Sequence, residues 1–96
     1  MKRSEALRII KEHHSELTQF KVKSLAIFGS IARDEARPDS DIDLLVEFSV
    51  PVGLFEFIDL KEYLERLLKV KVDLATEPAL RKQMKAQILK EAVRAA

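Results

Sequence analysis

Asp41-Ile42-Asp43-Leu44-Leu45-Val46 sets two carboxylates into an apolar run that reads as a strand. Side chains alternate along a strand, so Asp41 and Asp43 share one face while Ile42 and Leu44 share the other. One face of this strand can enter a core. The other must find a use for charge, because a carboxylate taken from water without a partner is costly. The neighbouring same-face positions, Asp39 and Glu47, are acidic too, so the strand supplies no cation of its own. Asp39 reads as a solvated loop residue. The Cβ atoms of Asp41 and Asp43 should lie roughly 6–7 Å apart, two strand rises. Carboxylates at that spacing can hold two Mg²⁺ ions about 3.5–4 Å apart.

Two further features gather around this pair. Gly29-Ser30 follows Leu25-Ala26-Ile27-Phe28, a short buried strand. Glycine permits a turn that a side chain would obstruct. A helix beginning at Ser30 would present unpaired N–H groups and the positive end of its dipole, which attract phosphate. The turn reads as a nucleotide-phosphate cradle or as an ordinary strand-to-helix turn with Ser30 as cap. Asp73 interrupts a later apolar strand, where Val70, Val72 and Leu74 take one face and Lys71, Asp73 and Ala75 the other. It either completes a metal-binding triad with Asp41 and Asp43, and takes a proton from an attacking hydroxyl, or is a surface charge paired with Lys71 or Lys69.

Periodicity orders the rest. Leu7, Ile10, His14, Leu17 and Phe20 predict a helix over residues 4–20. Ala32 to Ala36 reads as a short helix stopped by Pro38, and Asp41 to Phe48 as the second strand. A helix from Leu54 to Leu68 turns Phe57, Ile58, Leu60, Leu64 and Leu67 inward. Val70 to Ala75 is the third strand, parallel or antiparallel. A last helix starts at Pro78 with Leu80, Met84, Ile88 and Leu89 as its stripe. Helix, strand, short helix, strand, helix, strand, helix predicts an α/β (α+β) fold, with helices packed on a small sheet. Ninety-six residues make one domain, 1–96.

Composition narrows the function. No apolar run nears the roughly 20 residues that span a bilayer, and Met1-Lys2-Arg3-Ser4-Glu5 opens an amphipathic segment rather than a signal peptide. The absence of cysteine excludes disulfides and thiol chemistry and suits a cytoplasmic protein. A net charge of +1 conceals an acidic middle, residues 34–65, with ten acidic and two basic side chains. That stretch repels a nucleic-acid backbone and attracts cations, so direct nucleic-acid binding is not expected. Glu56, Asp59, Glu62 and Glu65 read as a solvated helix face. His13 and His14 are adjacent and face different sides of a helix, which does not make a metal site. The basic last helix lacks interleaved aromatics and reads as partner-facing or solvated.

Gly29-Ser30, ten residues, Asp41-Ile42-Asp43 and the later Val72-Asp73-Leu74 together resemble the minimal nucleotidyltransferases of the DNA polymerase β-like superfamily. Ala36-Arg37-Pro38-Asp39-Ser40, Gly53-Leu54-Phe55-Glu56 and Ile88-Leu89-Lys90-Glu91-Ala92 extend the likeness over nearly the whole chain. Two positions depart from the family pattern: Asp34 stands where Gly is usual, and Ile31 where a basic residue is more frequent. The resemblance implies a small mixed sheet of the polymerase β-like fold. It implies transfer of a nucleoside monophosphate from an NTP to a hydroxyl, with Gly29 and Ser30 on the phosphates. Asp41, Asp43 and Asp73 would act as catalytic residues and ligands of two Mg²⁺ ions, with Arg33 or Arg37 adding charge at the phosphates. A chain without substrate-binding domains is similar to the antitoxin half of HEPN–MNT toxin–antitoxin pairs. That likeness implies ATP as donor, a tyrosine of a HEPN ribonuclease toxin as acceptor, and a hetero-oligomer with that toxin. Two other readings are a non-catalytic antitoxin that neutralises by binding alone, and a nucleotidyltransferase acting on a small molecule or RNA end.

Overall fold

In the computed structural model, residues 1–35 and 41–96 are described. The chain runs α1 (Arg3–Glu12), α2 (His14–Gln19), β1 (Val22–Phe28), α3 (Gly29–Ala32), β2 (Ile42–Phe48), α4 (Leu54–Leu68) and β3 (Val72–Ala75). A 3₁₀ turn (Glu77–Ala79), α5 (Lys82–Glu91) and β4 (Val93–Arg94) complete it. The four strands lie in the order β3-β2-β1-β4. β1 pairs antiparallel with β2 and β4, whereas β2 and β3 are parallel. The parallel pair needs a crossover, and α4 supplies it. This is the small mixed sheet with helices that the sequence pattern and the family resemblance imply.

Strand alternation divides the sheet into an apolar and a chemical face. Leu25 and Ile27 of β1, Ile42, Leu44 and Val46 of β2, and Val72 and Leu74 of β3 are buried. They meet Ala6 and Ile10 of α1, Leu17 of α2, and Leu60, Leu64 and Leu68 of α4 in one cluster. Each large aliphatic side chain withdrawn this way contributes roughly 1.5–3 kcal/mol. The opposite face carries Ala26, Phe28, Asp43, Leu45, Asp73 and Ala75, none of which is fully buried. No charged side chain is buried among the described residues. None of their helices is long and apolar enough to cross a membrane.

Several elements differ from the sequence reading. The helix expected over 4–20 breaks at His13, whose φ of −109° and ψ of 24° leave the helical region. Its ring Nδ1–H donates to the Ile9 carbonyl at 2.8 Å, and His14 is exposed instead of joining the apolar stripe. β1 begins at Val22, earlier than expected, because Val22 is also buried. The short helix is Gly29–Ala32 and not 32–36; Ala36, its expected end, and the Pro38 stop lie outside the described residues. In α4, Ile58 points out, 37% exposed, and Leu68 is fully buried in place of Leu67. β3 starts at Val72, two residues after the expected start. Pro78 falls in the 3₁₀ turn, so the last helix opens only at Lys82. Its stripe does not reach the core: no residue of α5 is buried, and Met84 and Leu89 are 53% and 42% exposed. α5 lies over the chemical face of the sheet, where there is no apolar core to enter. β4 was not expected; two residues beside β1 carry no periodicity to read.

Candidate active site

The site begins with strand register. Phe28 at the end of β1, Asp43 on β2 and Asp73 on β3 are consecutive partners across the sheet. Neighbouring strands lie about 4.8 Å apart, and all three side chains leave the sheet on the face away from the core. The parallel pairing of β2 and β3 therefore puts two carboxylates side by side. Asp43 is pushed up to about 6, first by burial and then by the charge of Asp73, with Asp41 adding and Arg33 offsetting. Asp41, just before β2, is exposed.

Gly29 closes the site from the side. Its φ is +73°, a conformation that side chains rarely adopt. A Cβ there would collide with the Asp43 carboxylate and would stand 3.0 Å from its Cγ. The turn after β1 thus passes directly against the acid, and Gly29 itself begins α3 with Phe28 as its N-cap. Ser30 sits inside this single helical turn rather than capping it. Its carbonyl accepts from the Glu35 N–H at 2.9 Å and that of Gly29 from the Arg33 N–H at 3.2 Å, which curls the backbone around the site. Asp34 takes φ +61° in this curl, which accounts for the glycine usual at its position in the resembling family; Asp is among the few residues with a side chain that tolerate it.

α5 forms the facing wall. Phe28, Gly29, Ser30, Arg33, Asp43 and Asp73 face Met84, Gln87, Ile88 and Glu91 across a cleft of about 480 Å³. The Arg33 guanidinium donates to Glu91 at 3.1 Å and to Glu35 at 3.2 Å. Gln87 donates to Glu91 at 3.2 Å. Glu91 is held below the usual carboxylate range by the Gln87 hydrogen bond and then by Arg33. Arg33 ties α3 to α5 and brings a cation beside the paired acids. A second hollow of about 510 Å³ lies on the same sheet face, lined by Ser24, Ala26, Leu45, Phe48 and Lys85 among others. It is slightly larger, but its carboxylates, Glu47 and Glu77, are each bound to a lysine, Lys23 and Lys85, so chemistry and not volume selects the first.

Gly29, Ser30, Asp43 and Asp73, singled out in the sequence, thus come together, with Asp41 close enough to raise Asp43. Arg37, Asp39 and Ser40 lie outside the described residues. Sequence reasoning missed Met84, Gln87, Ile88 and Glu91 as site residues. Ile88 and Glu91 fall in the Ile88–Ala92 segment of the family pattern, to which no role attaches; Met84 and Ile88 read only as an apolar stripe, and Gln87 gives no signal. Among the described residues no group of three His, Cys, Asp or Glu side chains is arranged to hold a metal ion. The donors nonetheless suit a hard divalent cation: Asp43 and Asp73 offer carboxylate oxygens, and the repulsion that adds to burial in raising Asp43 is what a cation between them would relieve.

Residues 4–95 match the nucleotidyltransferase domain family. The protein adenylyltransferase MntA of Thermococcus cleftensis is 42% identical over 86 residues, 88% of this chain and 87% of its own length. A solved structure described as a candidate minimal nucleotidyltransferase has a TM-score of 0.82 and 36% identity, covering 97% of this chain and 95% of its own. A chain from the complex of tri-AMPylated Shewanella oneidensis HEPN toxin with MNT antitoxin has a TM-score of 0.66 at 17% identity, over 94% of this chain and 71% of its own. At that identity the likeness is one of fold.

Proposed function

This chain belongs to the nucleotidyltransferase domain family, and from that premise we propose that it transfers AMP from ATP to a tyrosine of a HEPN-type toxin, acting as its antitoxin. The observation that carries the reading is the Asp43–Asp73 pair facing Gly29 in a cleft walled by α5. Two relatives supply the substrates by analogy: one is named a protein adenylyltransferase, and one fold neighbour comes from a complex with an AMPylated HEPN toxin.

In this mechanism Gly29 and Ser30 receive the terminal phosphates, and Arg33 exchanges a carboxylate partner for phosphate oxygens. The acceptor hydroxyl attacks the α-phosphorus in line. A new P–O bond forms, the bond to the bridging oxygen breaks, and pyrophosphate leaves. Asp73 takes the hydroxyl proton. Asp41, Asp43 and Asp73 would hold two Mg²⁺ ions. Bound there, such ions lower the pKa of the attacking hydroxyl and neutralise charge on the leaving group. A cysteine-free, ATP-consuming chain belongs in the cytoplasm on this reading.

Labelled ATP, Mg²⁺ and the HEPN partner separate this reading from its rivals. Label on the partner, lost in Asp43→Ala and Asp73→Ala, supports it. Neutralisation of the toxin by a tight complex without label identifies an antitoxin that works by binding alone. Label on RNA or a metabolite moves the acceptor to another class.

A further inference from the structure

α4 buries one face and leaves large apolar groups on the other. Phe55 is 80% exposed and Leu54 70%, with Val50 at 47% and Ile58 at 37% beside them. Successive residues turn by 100° on a helix, so Phe55 lies about 140° from Leu60 and about 180° from Leu64. No rotamer carries it into the core those leucines occupy. Holding such a side chain in water forgoes the gain of burial, and contiguous exposed groups of this kind mark interaction sites.

The patch has an electrostatic sign. Asp59 and Glu62 share the exposed stripe with Phe55, and no cation among the described residues pairs with either. Glu56, at its edge, is bound to Lys21 at 2.7 Å. A surface that fits here offers an apolar socket bordered by Lys or Arg. A HEPN toxin that acts on RNA, as the family resemblance implies, must hold a polyanion and so carries a cationic surface, the complement of this patch. The patch also lies away from the chemistry: Asp43 and Phe48 stand at opposite ends of β2, roughly 17 Å apart.

We infer that Val50, Leu54, Phe55 and Ile58, flanked by Asp59 and Glu62, form the docking surface for the protein that accepts AMP, gripping it through a basic-rimmed apolar socket while the cleft remains open to ATP. The inference rests on the transfer reading for its partner, but not on catalysis for its test.

The purified HEPN partner is titrated calorimetrically against wild-type chain, Phe55→Ser, Leu54→Ser and the double variant Asp59→Lys/Glu62→Lys. The serine variants should bind at least tenfold more weakly, and the charge-reversed variant should also lose the weakening that salt imposes on the wild type. Circular dichroism and the thermal shift produced by ATP with Mg²⁺ should match wild type in all of them. Affinities within twofold of wild type overturn the docking surface. A dimer of the chain alone that Phe55→Ser dissociates overturns it as well, by giving the patch to a second copy. If the partner binds through Phe55 yet never receives AMP, the transfer reading fails and the docking surface stands. If Phe55→Ser transfers label to the partner at the wild-type rate, the reverse holds.

Discussion

The Cα of Gly29 lies so close to the Asp43 carboxylate that the turn after β1 has no room for a methyl group. The same residue holds φ at +73°, so two independent constraints meet at one position. Gly29→Ala should therefore cost about 1–3 kcal/mol from backbone strain and displace Asp43 as well. We expect a lower unfolding midpoint in urea and at least a tenfold loss of AMP transfer.

Asp43 carries its own signature in pH. Burial and the neighbouring Asp73 push its carboxyl up to about 6 from an ordinary 3.8. An acid raised in this way is favoured in its neutral form, so its stabilising effect is full below pH 3.8 and lost as pH rises through 6. Above that, the folded state keeps two unlike-sited but like-charged carboxylates together. Asp43→Asn should raise metal-free stability at pH 7.5 by about 1 kcal/mol after allowance for solvent screening, and the gain should vanish toward pH 4. Thermal melts in EDTA across that range check the sign, and the same variant should be inactive.

Arg33 is held by Glu91 and Glu35 on a solvent-facing rim. Exposed pairs of this type add little stability, whereas an Arg released to phosphate makes stronger charge-assisted bonds. Arg33→Ala should leave the melting temperature within a degree or two and raise the KM for ATP about tenfold or more. A fall in stability with unchanged KM would reassign Arg33 to a merely structural tie between α3 and α5.

Lys69 ends α4 in the left-handed conformation, φ +59°. Glycine adopts that cap without the steric cost of a side chain. Lys69→Gly should stabilise the chain by about 0.5–1 kcal/mol, read as a rise of a few degrees in the melting temperature.

The alternation of Asp41 and Asp43 with Ile42, Leu44 and Val46, and the stripe of Leu60 and Leu64, were legible because each depends only on local periodicity and burial. They gave β2, α4 and the side of the sheet that meets the core. The break at His13 was not legible, because a helix interrupted by one residue keeps most of its apolar spacing. The stripe of α5 misled for a related reason: Met84 and Leu89 recur at helical spacing, yet the face beneath them is charged.

From the sequence alone came the list of acids and the glycine turn, since residue type and spacing along one strand are local properties. The pairing of Asp43 with Asp73, the approach of Gly29 to that pair and the closure of the cleft by Glu91 came only with the tertiary structure. Each joins segments distant in the chain, and the strand direction and register that align them are fixed by how α4 crosses the sheet and packs on its core.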